Sequence, residues 1–314
     1  MVGKLTYPSR GAGRPQILLM GNGLEFKSGQ KRWEQLLSEL TVADSLPVTP
    51  EQKNATPFPL LYQVLSTHAP APAQLTRAQI DEEAARLANA IKALTNRSNE
   101  FLDKLPQLDL DHIFTTNYSY CVENAFFPAA DFSNSRTRTR YRLRLGDKPE
   151  RDYKLQSCYL ARSATRDTGI WHIHGEAQVP NGIVMSHDRY GRLLTRIVRL
   201  CEGQSYRGDP NAAVQREFNS WPELFLHADI YILGLRLDVS EFDLWWLLRR
   251  KQRERYADGR VYYYEAPPYT DMRHLLMQAT GITLCDLGFR DKSDYDAFYH
   301  AALDDIGQKV RAAR

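Results

Sequence analysis

The chain has 314 residues, 43% of them hydrophobic, enough for a substantial buried core in one large domain or two modest ones, which excludes a wholly disordered chain. Its 41 basic and 38 acidic residues leave a net charge of +3, so the overall balance argues for no nucleic-acid partner and any basic site must be local. Cys121, Cys158, Cys201 and Cys285 form no CxxC pair, which removes a zinc ribbon or disulfide framework and leaves buried free thiols as the expectation.

The first fifteen residues carry Lys4, Arg10 and Arg14 without the apolar stretch of a signal peptide, and no apolar run reaches membrane-spanning length. A cytoplasmic protein off the membrane is expected. Gln16 to Met20 reads as a buried strand ending at Gly21-Asn22-Gly23, and Trp33, Leu36, Leu37 and Leu40 predict a helix from about Lys31 to Leu40. A helical insertion is expected at about 45–106, with a short helix in Phe58 to Leu65 and a long or broken helix from Thr76 to Leu105. His112 to Thr116 reads as a strand leading to Asn117, and Tyr118 to Phe126 as a helix.

A small β-rich insertion is expected at about 130–170. Thr137 to Leu145 alternates strictly and reads as a strand with Arg136, Arg138, Arg140, Arg142 and Arg144 on one face; Tyr153 to Leu160 and Gly169 to His174 read as further strands. Asp188 to Leu200 and Val214 to Leu226 are predicted helices. Then come strand Ile230 to Leu233, helix Ser240 to Tyr256, strand Arg260 to Tyr264, helix Met272 to Gln278, strand Ile282 to Leu287 and helix Ser293 to Val310. That rhythm predicts an α/β fold, a Rossmann-like doubly wound parallel sheet with helices on both faces, as a single domain over 1–314 with no zinc ribbon.

Several constellations could carry chemistry. Gly21-Asn22-Gly23 stands past a strand's carboxyl end, where glycines let backbone amides approach a pyrophosphate, but Asn-Gly is also an ordinary turn. Thr115-Thr116-Asn117-Tyr118 delivers an amide that can hold a ribose hydroxyl or a water, or can cap the next helix. In Trp171-His172-Ile173-His174-Gly175-Glu176 the two histidines share one strand face, as a metal pair lacking a recognisable third ligand or as half-buried donors to carbonyls; Gly175 would let a ligand come close. Gly234-Leu235-Arg236-Leu237-Asp238 ends another strand, with Ser240 as a helix cap and Glu241 and Asp243 complementing the helix dipole. The arginine face is either a solvated edge or a surface for an acidic partner or nucleic-acid backbone, and Leu244-Trp245-Trp246-Leu247-Leu248 is core or subunit interface.

Taken in order from about Ile17 to Leu248, these motifs resemble the sirtuin-like (silent-information-regulator-like) superfamily, in its bacterial NAD-hydrolysing branch from antiphage defence systems. The resemblance implies Gly21 and Gly23 at the NAD+ phosphates, Asn117 holding ribose and the attacking water, His174 facing the ribose hydroxyls, and Gly234 near the cofactor. Asn22, Thr116, Gly175 and Arg236 complete the expected cofactor-binding set, and as crevice residues Asn117 and His174 are expected to be exposed. The acidic residue usual two positions after the asparagine is Ser119 here, and the four-cysteine zinc module of protein deacylases is absent. Hydrolysis of NAD+ to nicotinamide and ADP-ribose without a metal is therefore expected, with a non-catalytic NAD-binding scaffold or a deacylase as alternatives. No separate sensor domain is expected in the chain, so sensing is expected from a second protein, an ATPase or an Argonaute-type partner as the resemblance suggests, while the arginine face and the Trp245-Trp246 helix predict a homo-oligomer or a complex with a second protein.

Overall fold

The computed structural model describes residues 3–8, 13–72, 74–147, 149–162, 166–202, 215–253, 259–269, 271–291 and 293–314. The chain begins with β1 (Leu5–Pro8) and β2 (Gln16–Met20), followed by α1 (Trp33–Leu40), α2 (Pro50–Ala55), α3 (Phe58–Ser66) and α4 (Arg77–Lys92). Next come β3 (His112–Thr115), α5 (Cys121–Phe126), α6 (Ser135–Tyr141), β4 (Arg142–Arg144), β5 (Ser157–Ala161) and β6 (Thr168–His172). The last third alternates as α7 (His187–Glu202), β7 (Gln215–Phe218), α8 (Trp221–His227), β8 (Asp229–Leu233), α9 (Phe242–Arg253), β9 (Val261–Tyr264), α10 (Met272–Ala279), β10 (Thr283–Leu284) and α11 (Tyr295–Ala312).

Among the described residues the central sheet has eight strands in the order β10-β9-β8-β2-β3-β6-β5-β4. Pairing is parallel from β10 to β6, and antiparallel between β6 and β5 and between β5 and β4. The sheet is thus Rossmann-like but mixed, because short connections return β4 and β5 as antiparallel neighbours. β2 is buried along its whole length, and its side chains alternate between two cores: Leu18 and Met20 face one, Ile17 and Leu19 the other. Ile17 pairs with Ile230, so the first strand and the late strands belong to one sheet.

Register sets where the strands stop. Met20 is opposite both Thr115 and Leu233, and Thr115 is opposite His172. Four parallel strands therefore end in one row, and the residues just beyond them meet at one edge. β3 lies on one side of β2 and β8 on the other, which is the reversal of strand order where open α/β sheets form a crevice.

Two sequence expectations fail. The alternating 137–145 run is not a continuous strand: 135–141 is helical, started by Asn134, whose side chain accepts from the Arg136 amide, and only Arg142–Arg144 is extended. The arginine-threonine alternation has no apolar face, so its period of two carries no burial signal until Tyr141, Leu143 and Leu145. The proposed helix Val214 to Leu226 divides into β7, paired antiparallel with β1, and α8, begun at Trp221-Pro222; Val214 lies outside the described residues. Tyr256, the expected end of the Ser240 helix, also lies outside them, and the described helix runs Phe242–Arg253.

Candidate active site

The turn after β2 and the turn after β8 are packed into each other. The Gly23 amide donates to the Gly234 carbonyl at 2.9 Å, and a Cβ on Gly21 or Gly23 would come within 2.9 Å of the Gly234 backbone. Gly234 itself has φ +67°, which favours glycine. These glycines are thus required by turn-on-turn packing, and the Gly23 amide already has a protein partner. No helix starts directly at this turn: a 3-10 turn at Phe26–Ser28 intervenes, and α1 begins only at Trp33. Asn22 donates its side-chain amide to the Lys31 carbonyl at 3.1 Å, bracing the loop between them.

Past β3, the backbone amide of Asn117 is held by Thr115 Oγ1 at 3.0 Å, and its carbonyl accepts from His172 Nδ1 at 3.0 Å. Asn117 does not cap the following helix. That helix starts at Cys121, four residues on, with Tyr120 at its cap position, and the buried Asn117 Nδ2 has no hydrogen-bond partner in the protein. A buried amide whose backbone is clamped and whose side chain is unspent can serve a ligand.

Ser119 donates to Glu25 Oε2, which also accepts from Gln30 Nε2 at 3.3 Å. Glu25 is buried and its Oε1 has no partner. Burial pushes its carboxyl up to about 7, held back by the Ser119 bond and by the nearby Asn117 amide, which falls short of a well-aligned hydrogen bond. Sequence reasoning missed Glu25, although an acid two residues past the glycine turn was there to be read.

His172 and His174 do not act as a pair. β6 ends at His172, whose Nε2 faces Glu123 on α5 at 2.8 Å. Burial alone would lower its pKa, but Glu123 raises it to about 9. His174 lies beyond the strand and donates from Nε2 to Asp243 at 2.9 Å, with Nδ1 3.7 Å from Glu241. Here too the carboxylates outweigh burial and raise the pKa. Tyr190 donates to Glu241 at 2.9 Å, and burial takes the Glu241 carboxyl up to about 7. Glu241 and Asp243 thus hold the imidazole as well as standing at the start of α9. Ser240 does not cap that helix; its hydroxyl and amide both bond Asp238.

Ligand atoms of His174, Glu241 and Asp243 lie within 4.8 Å of one another, the one cluster among the described residues that could hold a metal ion. The carboxylates engage opposite ring nitrogens, a geometry suited to orienting the imidazole. Gly175 has φ +102°, and a Cβ there would meet the Gly182 carbonyl, so this glycine serves the tight turn behind His174. Asn117 and His174 are 6% and 2% exposed, which corrects the expectation of exposed side chains.

A cleft of about 810 Å³ opens over this edge, within the size of ligand sites, and Asn22, Gly23, Thr116, His174, Gly234 and Arg236 all line it. Trp33, Leu37, Phe58 and Leu61, from α1 and α3, form an apolar wall. Asn117 lines a separate cavity of about 30 Å³ with Glu25 and Ser119, which shares Asn22, Trp33 and Tyr118 with the cleft. Gly21 and Gly175 line neither.

A family model described as SIR2-like domain matches residues 111–285, which takes in Asn117, His174 and Gly234. No curated protein matches the chain. The glycine turn at 21–23 lies before the matched range, but β2 carries it between β3 and β8 into the same crevice. With more than half of its 314 residues matched and a Rossmann-like sheet converging on this crevice, the chain belongs to the SIR2-like family, whose domains use NAD+.

Proposed function

We propose that the protein is an NAD+ hydrolase that cleaves the nicotinamide–ribose bond to give nicotinamide and ADP-ribose. The observation that carries this reading is the unspent Asn117 amide in a water-sized cavity, beside a cleft lined by His174 and the paired glycine turns. Nicotinamide leaves as a neutral ring, so the protein has chiefly to position the ribose, stabilise an oxocarbenium-like centre and admit water. Asn117 would orient the water and ribose, and His174, made more basic by Asp243 and Glu241, would accept a hydrogen bond from a ribose hydroxyl. Arg236, exposed on the cleft, is available to the pyrophosphate.

The wider reading rests on family resemblance: a cytoplasmic effector of antiphage defence that depletes NAD+ once activated, as a homo-oligomer and with a second protein such as an ATPase or an Argonaute-type partner. The decisive measurement is nicotinamide and ADP-ribose release from NAD+ by chromatography, with ADP-ribose binding followed by calorimetry. Asn117→Ala and His174→Ala should each lower turnover by roughly 10²-fold or more. Because both residues are buried, His174→Gln and melting curves separate lost chemistry from lost packing. Full NAD+ cleavage in the His174 variants, or a wild type that binds neither NAD+ nor ADP-ribose, would sink the reading.

A further inference from the structure

The acid usual two positions after the family's asparagine is replaced here by Ser119, and the hydroxyl that stands in its place points at another carboxylate. Ser119 and Gln30 both donate to Oε2 of Glu25, while Oε1 is buried without a partner. The Asn117 amide nitrogen, near enough to draw the Glu25 pKa down, is likewise buried without a well-aligned hydrogen bond, and the two groups line the same cavity of about 30 Å³. Leaving both an acceptor and a donor unsatisfied inside a protein costs free energy that a bound water bridging them would recover.

We propose that Glu25 is a catalytic carboxylate of this site, its Oε1 holding and deprotonating the water that attacks the ribose. The inference rests on the NAD+ hydrolase reading. In the step, the C1′–N bond breaks with its electron pair passing to nicotinamide, the water oxygen bonds to C1′, and the water's proton passes to Glu25 and then to solvent. The water is drawn from the cavity that shares Asn22, Trp33 and Tyr118 with the cleft. A carboxyl titrating near neutrality is suited to take up and release that proton. Ser119, at the position where the acid is usual, donates to this carboxylate and orients it.

The test compares wild type with Glu25→Gln, which keeps the side chain's shape, and with Glu25→Ala. Hydrolysis should fall roughly 10²-fold or more, whereas exchange of labelled nicotinamide into NAD+, which breaks the same bond without water, should stay within about threefold. A binding arm needs no turnover. The C1′ hydroxyl of ADP-ribose carries the oxygen delivered by the water, so Glu25→Ala should weaken ADP-ribose about tenfold by calorimetry while ADP, lacking that ribose, binds unchanged. Unaltered hydrolysis, parallel loss of hydrolysis and exchange, or equal effects on ADP-ribose and ADP would overturn the role of Glu25. A wild type that binds neither ADP-ribose nor NAD+ would instead overturn the reading on which it rests.

Discussion

At the scale of single residues, the site depends on side chains that each hold another in place. His172 donates to the Asn117 carbonyl and is itself held by Glu123, so it supports the asparagine. Asp243 stands to His174 as a positioning residue, fixing which ring nitrogen carries the proton. A base works only when neutral, so activity governed by His174 should rise as pH passes upward through its raised pKa. Asp243→Asn removes a charge that raises that pKa, so the acidic limb of the pH–rate profile should move to lower pH while the plateau falls about tenfold or more. An unmoved limb would show that Asp243 does not tune this histidine.

At the scale of elements, the segment from α6 to β4 separates arginines that the sequence groups together. Arg142 is paired with Glu176 at 2.6 Å, bonds the Tyr159 hydroxyl and stacks 4.5 Å from that ring's centre. Arg138 donates to the Phe132 and Ser133 carbonyls, whereas Arg136 and Arg140 are exposed. Arg142→Ala would strand a buried carboxylate and should cost about 3–5 kcal/mol in urea unfolding. Arg136→Glu with Arg140→Glu should leave that midpoint within about 0.5 kcal/mol. If α6 is a partner surface, the double variant alone should break the assembly in light scattering. A stable Arg142→Ala protein, or one whose assembly ignores the charge reversal, would refute the corresponding half. Trp245 and Trp246 are half-buried against the core.

For the whole molecule, buried ionisable groups set a pH optimum for stability. Glu25 and Glu241 have folded pKa values raised from 4.5 to about 7, so their contribution is full below 4.5 and is lost as pH rises to 7. His172, raised from 6.5 to about 9, contributes below 6.5 and loses this by 9. In the opposite sense, Arg142 and His172 outweigh burial and hold Glu176 down to about 2, so its contribution is lost as pH falls from 4.5 to 2. Burial lowers His112 to about 4, which removes stability as pH falls from 6.5 to 4 and partly offsets the two glutamates. These windows give maximal stability near pH 4.5–5 for the ligand-free protein, with Glu25→Gln and Glu241→Gln flattening the decline toward pH 7. A melting temperature that climbs steadily from pH 5 to 7 would contradict this.

Strands with continuous apolar runs, such as Gln16–Met20 and Asp229–Leu233, were legible because burial on both faces of a sheet leaves a local signature. So were the turns that end them and the order of motifs that marks the family. What local pattern does not contain is pairing over distance: whether 137–145 joins a sheet, which edge β7 meets, and that β4 and β5 run antiparallel. The same limit applies at the site. Asn117 and His174 stand out as motif residues, but the carboxylates that stand beside them lie 92 residues before the one, in Glu25, and 69 residues after the other, in Asp243. The sequence by itself determined the buried central strands β2 and β8, the glycine turns that end them and the motif groups of the site. Tertiary structure alone decided which charges those groups meet, because that depends on the register that stops Met20, Thr115, His172 and Leu233 in one row.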